Sequence, residues 1–287
     1  MSKKLPLLIM ILPIAFFMVF LVALPCIYVV IISFMEKGIY GGIEYIFTLE
    51  NYKLILEPLY LKIFANSFFI ALVTTIICLL ISYPFACFIS QKNKTVQTIL
   101  ITLVILPFLT NSLIRIHGLI ILLRDGGIIN NFLLNINLID EPIKFMYNQT
   151  GTIIGMVYTL LPFMILPLYS NISKLDANLN DAAKDLGANK FKTFLHVTLP
   201  QTKYAILAGS IMVFVPTLSY FFVSDLLGGG KTMMIGNVIK NQFLVARNWP
   251  FGAALAISIV LFTLIVVIVY RKMGGKMEQL GGVSYEK

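Results

Sequence analysis

Six long stretches of the sequence carry no charged residue, and polar segments separate them. Each stretch is at least 20 residues long, and a helix needs about 20 apolar residues to cross the hydrocarbon core of a bilayer. Buried helices of soluble proteins rarely run that far without a charge. The pattern therefore predicts an all-α integral membrane protein with six transmembrane helices. We expect the spans at about residues 6–34, 66–90, 96–115, 150–170, 204–224 and 250–270.

The polar segments between these spans are too short to fold as domains of their own, so we expect one transmembrane domain over 1–287. Glycines interrupt segment 36–65, which predicts an irregular loop there. Segment 126–139 interleaves asparagines with leucines and is too short to span a membrane. That pattern predicts a helix lying along the membrane surface.

Composition and charge agree with this interpretation, and the charge distribution predicts the orientation of the chain in the membrane. Residues are 59% hydrophobic and only 12% charged, too few charges to cover a soluble domain of this length. The side that holds both termini carries 13 Lys and Arg in 61 residues, and the opposite side carries 9 in 83. By the positive-inside rule we expect both termini in the cytoplasm. The net charge of +9 then reflects membrane orientation, not nucleic-acid binding.

The polar segment 171–204 has its own pattern. Leucines and alanines from 175 to 186 recur at helical spacing, and Gly187 follows them where a helix C-cap favours glycine. A second short helix is expected from about Asn189 to Thr198. Leu199 and Pro200 then begin the next span.

This segment resembles the cytoplasmic loop of type I ABC importer permeases, whose pattern is E-A-A-x3-G-x9-I-x-L-P. Asp stands here for Glu and Val197 for Ile, and the spacing is kept throughout. The matching residues implied to dock an ATPase are Asp181, Ala182, Ala183, Gly187, Leu199 and Pro200. The resemblance implies the MetI-like permease fold, the bacterial inner membrane as location, and a docking loop over 174–200.

The resemblance also implies where the energy comes from. In this family the loop docks into a cleft on a separate cytoplasmic ATPase, which binds ATP and magnesium. Small side chains suit such a docking surface, because a bulky one would hold the interface open. We therefore expect no cofactor and no catalytic residue in this chain.

One glycine-rich segment imitates a nucleotide-binding loop. Gly228 to Thr232 reads GGGKT, like the end of a P-loop, but the glycine required five positions before Gly230 is Asp225. The segment also follows a membrane span instead of a strand. We interpret it as a turn.

Asp225 is the main chemical clue to the transported solute. It follows the fifth span, and three aromatic residues at 220–222 precede it. A carboxylate at a membrane boundary is costly unless it is hydrated, paired or functional. A carboxylate beside aromatic faces suits an ammonium-bearing solute. A carboxylate that merely ends a helix in interfacial water is the alternative.

Stretches within 110–254 resemble the permease subunits of spermidine/putrescine importers: TNSLIRIHGL, YTLLPFMILPLYS, VSDLLGGGK and IGNVIKNQFLVARNWPFGAA. The resemblance implies a heterodimer with a second permease, two ATPase subunits and an extracytoplasmic polyamine-binding protein. Our candidates for the substrate path are Asp225, Tyr220, Phe222, Asn111, Tyr158, Trp249 and Arg115. Arg115 is unusual in a cation path; it either pairs with a carboxylate such as Asp225 or contacts the binding protein.

Other functions remain in competition with polyamine import. A permease for thiamine, iron, sulfate or a sugar would share the docking loop. An anion importer should line its path with basic residues, and Arg115 is the one candidate in the sequence. A membrane enzyme would need a nucleophile–base pair or a metal cluster, and the sequence offers neither. An ion channel would leave the docking loop without a role.

Overall fold

The computed structural model describes residues 12–272 and confirms the predicted helical membrane fold. The described helices are α1 Leu12–Ile32, α2 Glu50–Ile55, α3 Pro58–Ser90, α4 Lys94–Leu109, α5 Ser112–Leu123, α6 Ile128–Asn135, α7 Gln149–Ile172, α8 Ala177–Asp185, α9 Lys190–Ser219, α10 Phe221–Gly228, α11 Ile235–Leu244 and α12 Trp249–Lys272. Two strands, β1 Met35–Lys37 and β2 Ile43–Phe47, complete the described elements. The first six residues of the predicted first span, 6–11, lie outside the described residues.

Five of the helices, α1, α3, α7, α9 and α12, are long and apolar enough to cross a membrane. α4 and the segment Ser112–Asn135 are together long and apolar enough for a sixth crossing, but a bend of 99° separates them. They therefore form either one broken span or a re-entrant loop. The structure thus replaces the helix predicted over 96–115 by two helices. The break follows Pro107, which lacks an N–H, and Thr110 is extended. Asn111 then caps α5 by accepting a hydrogen bond from the Leu113 N–H at 2.8 Å.

The irregular loop predicted over 36–65 is more ordered than expected. β1 and β2 form an antiparallel hairpin, and α2 follows it. Gly41 and Gly42 adopt φ of +90° and +85°, which lets the chain reverse between the strands. α3 begins at Pro58, eight residues before the predicted start of the second span at 66, because proline is well suited to a first helical turn.

The described chain divides into two compact units. Residues 12–62 and 238–262 form the first unit, and residues 63–237 and 263–272 form the second. Two buried apolar clusters form the core of the second unit. In one, α5, α7 and α10 meet around Ile116, Met156 and Leu227. In the other, α3, α7 and α9 meet around Cys78, Met164 and Ala205.

Small residues allow the helices of the second unit to pack closely. The buried face of α3 consists largely of residues with small side chains: Ser67, Ala71, Thr74, Cys78, Ser82 and Ala86. Gly209 of α9 lies against Met164 of α7, where an added Cβ would be 2.7 Å from the Met164 Sδ. Such close backbone approach is the usual basis of helix association in membranes, where apolar burial supplies little driving force.

The second short helix predicted to end near Thr198 does not end there. It continues without interruption into the fifth span, so that α9 runs from Lys190 to Ser219. The turn at Phe194–Thr198 is widened into a π-helix. Pro200 explains the widening, since its ring would collide with the carbonyl four residues earlier in a regular α-helix.

Candidate functional site

The first candidate site is α8 and the turn that follows it. Asp176 begins the helix by accepting a hydrogen bond from the Asn178 N–H at 3.0 Å. Gly187 ends it with φ +83°, and the Ala188 N–H donates to the Ala183 carbonyl at 3.0 Å. This is a Schellman cap, which requires the left-handed backbone that glycine adopts without strain. The predicted role of Gly187 in ending the helix is confirmed.

The end of α8 presents small and apolar groups to its surroundings. Leu186 is 90% exposed, and Leu179 and Ala182 are also exposed. Apart from its chain neighbours, no described atom lies within 4 Å of the position that a Cβ on Gly187 would occupy. We call Leu179, Ala182, Leu186 and Gly187 the α8 surface. The side chain of Asp181, the first residue of the matching motif, lies outside what the structure describes.

The remaining motif residues, Leu199 and Pro200, lie within the first half of α9 and not on α8. Leu199 lines an apolar groove of about 490 Å³ together with Tyr83 of α3. Tyr83 hydrogen-bonds to Thr202 at 2.9 Å and contacts the ring of Phe194 edge-on at 5.5 Å between centroids. Tyr83 therefore helps to hold α9 on α3 beside Leu199, and Pro200 shapes the helix.

The second candidate site lies at the other end of α9. The helix stops at Tyr220, whose ψ of 62° breaks the helical geometry, and α10 begins one residue later. The rings of Tyr220 and Phe222 lie 5.3 Å apart and both pack against the apolar cluster of α5, α7 and α10. Val223 and Leu227 fix α10 onto α7, where Gly155 leaves room for both.

Asp225 is half-buried on α10, one turn after Phe221. Its Oδ1 accepts a hydrogen bond from the Asn237 side-chain amide at 2.6 Å. The same amide nitrogen donates to the Phe221 carbonyl at 3.1 Å, and the Asn237 Oδ1 accepts from the Met234 N–H at 2.9 Å. Asn237 is only 4% exposed. It therefore holds the Asp225 carboxylate in a fixed orientation, a role that no spacing in the sequence indicated.

The structure places the other substrate-path candidates on elements other than α10. Asn111 has a structural role as the cap of α5, and Tyr158 is exposed on α7. The Arg115 guanidinium lies over the Phe108 ring at 4.7 Å, and its buried Nε has no hydrogen-bond partner among the described residues. Trp249 belongs to the first unit, where it begins α12. Tyr220, Phe222 and Asp225 are thus the candidates that one short segment brings together.

The glycine-rich segment is a packed turn between α10 and α11. Gly229 and Gly230 adopt φ of +58° and +75°. Gly228 is buried, and a Cβ there would lie 2.6 Å from the Thr152 Oγ1. The Ser224 hydroxyl donates to the Thr232 carbonyl and closes the turn. The segment is therefore less mobile than its composition suggests, and no strand precedes it as in a P-loop.

Comparison with known proteins places these features in a family. The family model described as "Binding-protein-dependent transport system inner membrane component" matches residues 82–279. The chain is 45% identical over 261 residues to the spermidine/putrescine transport system permease protein PotB of Escherichia coli K12, covering 91% of this chain and 95% of that protein. PotB of Haemophilus influenzae is also 45% identical, over 88% of this chain and 89% of its own length.

A more distant relative and a solved structure extend the comparison. The PotB homolog of Mycoplasma genitalium is 31% identical over 69% of this chain and 70% of its own length. The fold matches that of a bacterial ABC transporter that imports the acidic polysaccharide alginate, with a TM-score of 0.75, 18% identity, and coverage of 94% and 95% of the two chains. The chain belongs to the family of binding-protein-dependent transport system inner membrane components.

Proposed function

We propose that this chain is the membrane-spanning permease subunit of an ATP-driven importer of spermidine and putrescine. The observation that carries the proposal is the 45% identity to PotB of E. coli over 91% of the chain. The family model alone covers transporters of many solutes, so the polyamine assignment depends on this closer similarity. The carboxylate and aromatic rings of α10 support it independently.

The complex has further parts in this proposal. A second, related permease pairs with this chain, and two ATPase subunits bind ATP and magnesium in the cytoplasm. An extracytoplasmic binding protein delivers the polyamine. Both termini of the chain lie in the cytoplasm, in keeping with the higher density of Lys and Arg on that side.

The α8 surface is the ATPase contact. Its alanine and glycine allow close approach, and the exposed Leu186 supplies an apolar anchor for a pocket on the partner. A charge placed there would be buried without a partner in the docked complex, which is costly. The Schellman cap at Gly187 keeps the short helix in one orientation relative to the chain that follows.

α9 connects the two candidate sites. It begins three residues after Gly187 and runs 30 residues to the break at Tyr220, a length of about 45 Å at 1.5 Å per residue. Movement of the ATPases at the α8 surface is transmitted along this helix to α10 and its carboxylate. The two positions of the permease are then populated according to the state of the ATPases, as alternating access requires.

Asp225 provides the polyamine contact. Each ammonium group of a polyamine carries a positive charge and several N–H donors, and a carboxylate satisfies both. The neighbouring rings of Tyr220 and Phe222 supply cation–π attraction and favour the apolar methylene segments. Asn237 orients the carboxylate before the substrate arrives, which lowers the entropic cost of binding.

Substitution Asp225→Asn tests this contact. Asparagine keeps the size of the side chain and still accepts the hydrogen bond from Asn237, while the charge is lost. In proteoliposomes that hold the whole complex, we expect the concentration for half-maximal spermidine uptake to rise about tenfold or more. Asp140→Asn, an exposed carboxylate in the same unit, is the matched control and should leave uptake unchanged. Uptake by Asp225→Asn at wild-type rate and affinity would contradict the assignment.

A further inference from the structure

Two neighbouring residues of α3, Asn66 and Ser67, bind the chain that leads into α11. The buried Ser67 hydroxyl accepts a hydrogen bond from the Ile235 N–H at 2.9 Å. The same hydroxyl donates to the Ile63 carbonyl at 2.8 Å, which fixes its direction. The Asn66 side-chain amide donates to the Met233 carbonyl at 3.2 Å. α3 therefore holds the backbone of this segment, although none of the substrate-path candidates lies on α3.

Met234 lies between the two residues that α3 holds, and it is bonded to Asn237. The Met234 N–H donates to the Asn237 Oδ1 at 2.9 Å, and the Asn237 N–H donates to the Met234 carbonyl at 3.0 Å. Reciprocal hydrogen bonds of this kind fix a side chain relative to the first turn of a helix. The position of the Asn237 amide therefore depends on where α3 holds the start of α11.

The start of α11 is buried and packed against the end of α9. Ile235 is fully buried, and a Cβ on Gly236 would lie 2.9 Å from the Ser219 carbonyl oxygen. A buried backbone N–H that loses its acceptor is costly. Removal of the Ser67 hydroxyl would leave the Ile235 N–H without that acceptor, so we expect the first turn of α11 to shift.

Asn237 connects the start of α11 to the carboxylate on α10. Its amide nitrogen donates to the Asp225 Oδ1 at 2.6 Å and to the Phe221 carbonyl at 3.1 Å. An amide that serves two acceptors tolerates little displacement, because hydrogen bonds weaken steeply as their geometry departs from the ideal. A shift of the first turn of α11 would therefore loosen the orientation of the Asp225 carboxylate. Ordering this side chain again when the substrate binds would lower the affinity.

We propose that Ser67 is a positioning residue for polyamine binding, and that it acts on the Asp225 carboxylate through Asn237. Asn66 supports it by holding the same segment one residue earlier in α3. The inference rests on the proposed function and deepens it. Part of the affinity for the polyamine is assigned to a buried hydroxyl of α3 that does not contact the substrate.

Spermidine uptake by the whole complex in proteoliposomes tests the proposal, with rates expressed per assembled complex. We expect Ser67→Ala to raise the half-saturating spermidine concentration about three- to tenfold, the range expected when one more side chain must be ordered on binding. The maximal rate should stay close to that of the wild type, because the substitution weakens binding and leaves the later steps intact. The matched control is Ser82→Ala, which removes a buried hydroxyl of the same helix that has no hydrogen-bond partner among the described residues. It should change neither quantity.

A double-mutant cycle with Asp225→Asn distinguishes positioning of the carboxylate from a general structural effect. If Ser67 acts through Asp225, Ser67→Ala should change the half-saturating concentration less than about twofold in the Asp225→Asn background. A shift of equal size in both backgrounds would overturn the proposal, because Ser67 would then act independently of the carboxylate. An unchanged half-saturating concentration in Ser67→Ala alone would overturn it as well.

Asn66→Ala serves as a second variant where Ser67→Ala does not assemble. It removes the bond to the Met233 carbonyl from a half-buried position, and it should raise the half-saturating concentration in the same direction, again only where Asp225 is present. If the wild-type complex imports no polyamine, the proposed function is wrong. If the wild type imports spermidine and Asp225→Asn weakens its binding while neither α3 variant does, the positioning role alone is wrong. Unchanged uptake by Asp225→Asn would overturn both the carboxylate contact and the role of Ser67.

Discussion

Replacement of Asn237 by leucine should destabilise the protein, because the side chain is buried and all of its described polar atoms are bonded. Its amide nitrogen donates to the Asp225 Oδ1 and to the Phe221 carbonyl, and its Oδ1 accepts from the Met234 N–H. Leucine has a similar volume but can make none of these bonds. The substitution therefore removes the connection between α10 and the start of α11 while largely preserving packing.

The magnitude follows from the groups that lose a partner. Met234 is only 1% exposed, and a buried N–H without an acceptor costs about 1–3 kcal/mol. The bond to the Asp225 carboxylate is charge-assisted and contributes about 1.5–3 kcal/mol. Burial of the apolar leucine side chain offsets part of this loss. We expect a net loss of about 3 kcal/mol, which corresponds to a melting temperature lower by about 6–12 °C.

A thiol-reactive fluorophore offers a suitable assay in a background in which the accessible Cys26 and Cys87 are replaced by serine, since the remaining Cys78 is buried and reacts only when the protein unfolds. Asn241→Leu is the matched control: it is the same substitution one turn later on α11, at a side chain with no hydrogen bond among the described residues. It should melt within about 2 °C of the wild type, the range of a neutral surface substitution. If Asn237→Leu melts at the same temperature as Asn241→Leu, Asn237 does not hold α10 in place.

Two other substitutions test separate parts of the account. Gly187→Glu should abolish co-purification with the ATPase while leaving membrane insertion intact. Gly187→Asn should retain most of the co-purification, because asparagine tolerates the positive φ at this position. Normal ATPase yield with the glutamate variant would refute docking at the α8 surface. Thr74→Val should raise the melting temperature by about 2–4 °C, because it removes a buried hydroxyl that has no partner among the described residues. Thr75→Val is the control and should not raise the melting temperature, since the Thr75 hydroxyl donates to the Ala71 carbonyl at 2.7 Å. Equal shifts of the melting temperature in both variants would show that the lost hydrogen bond is irrelevant.

The positions of the long helices could be predicted because lipid imposes a simple rule on sequence. A charge inside the hydrocarbon is costly, so gaps between charges mark the spans. α7 runs from Gln149 to Ile172, against 150–170 predicted, and α12 runs from Trp249 to Lys272, against 250–270. The end of α8 at Gly187 could also be predicted from the sequence, since a left-handed helix cap favours glycine.

Features that depend on tertiary contacts were not accessible in this way. The break at Thr110–Asn111 lies within an uncharged run, and the lack of charge does not distinguish a straight helix from two bent ones. The hairpin was missed because its strands are short and their pairing depends on a turn fastened to Arg247, far away in sequence. Asn237 was missed because a polar residue near a loop gives no sign that its amide reaches Asp225.

The central claim is that this chain carries polyamines, and uptake by the reconstituted complex tests it most directly. Proteoliposomes with the permease pair, the ATPases and the binding protein are supplied with ATP, and accumulation of labelled spermidine, putrescine, thiamine, sulfate and maltose is compared. The account predicts ATP-dependent accumulation of spermidine or putrescine and none of the other three solutes. Accumulation of thiamine, sulfate or maltose without either polyamine would contradict it.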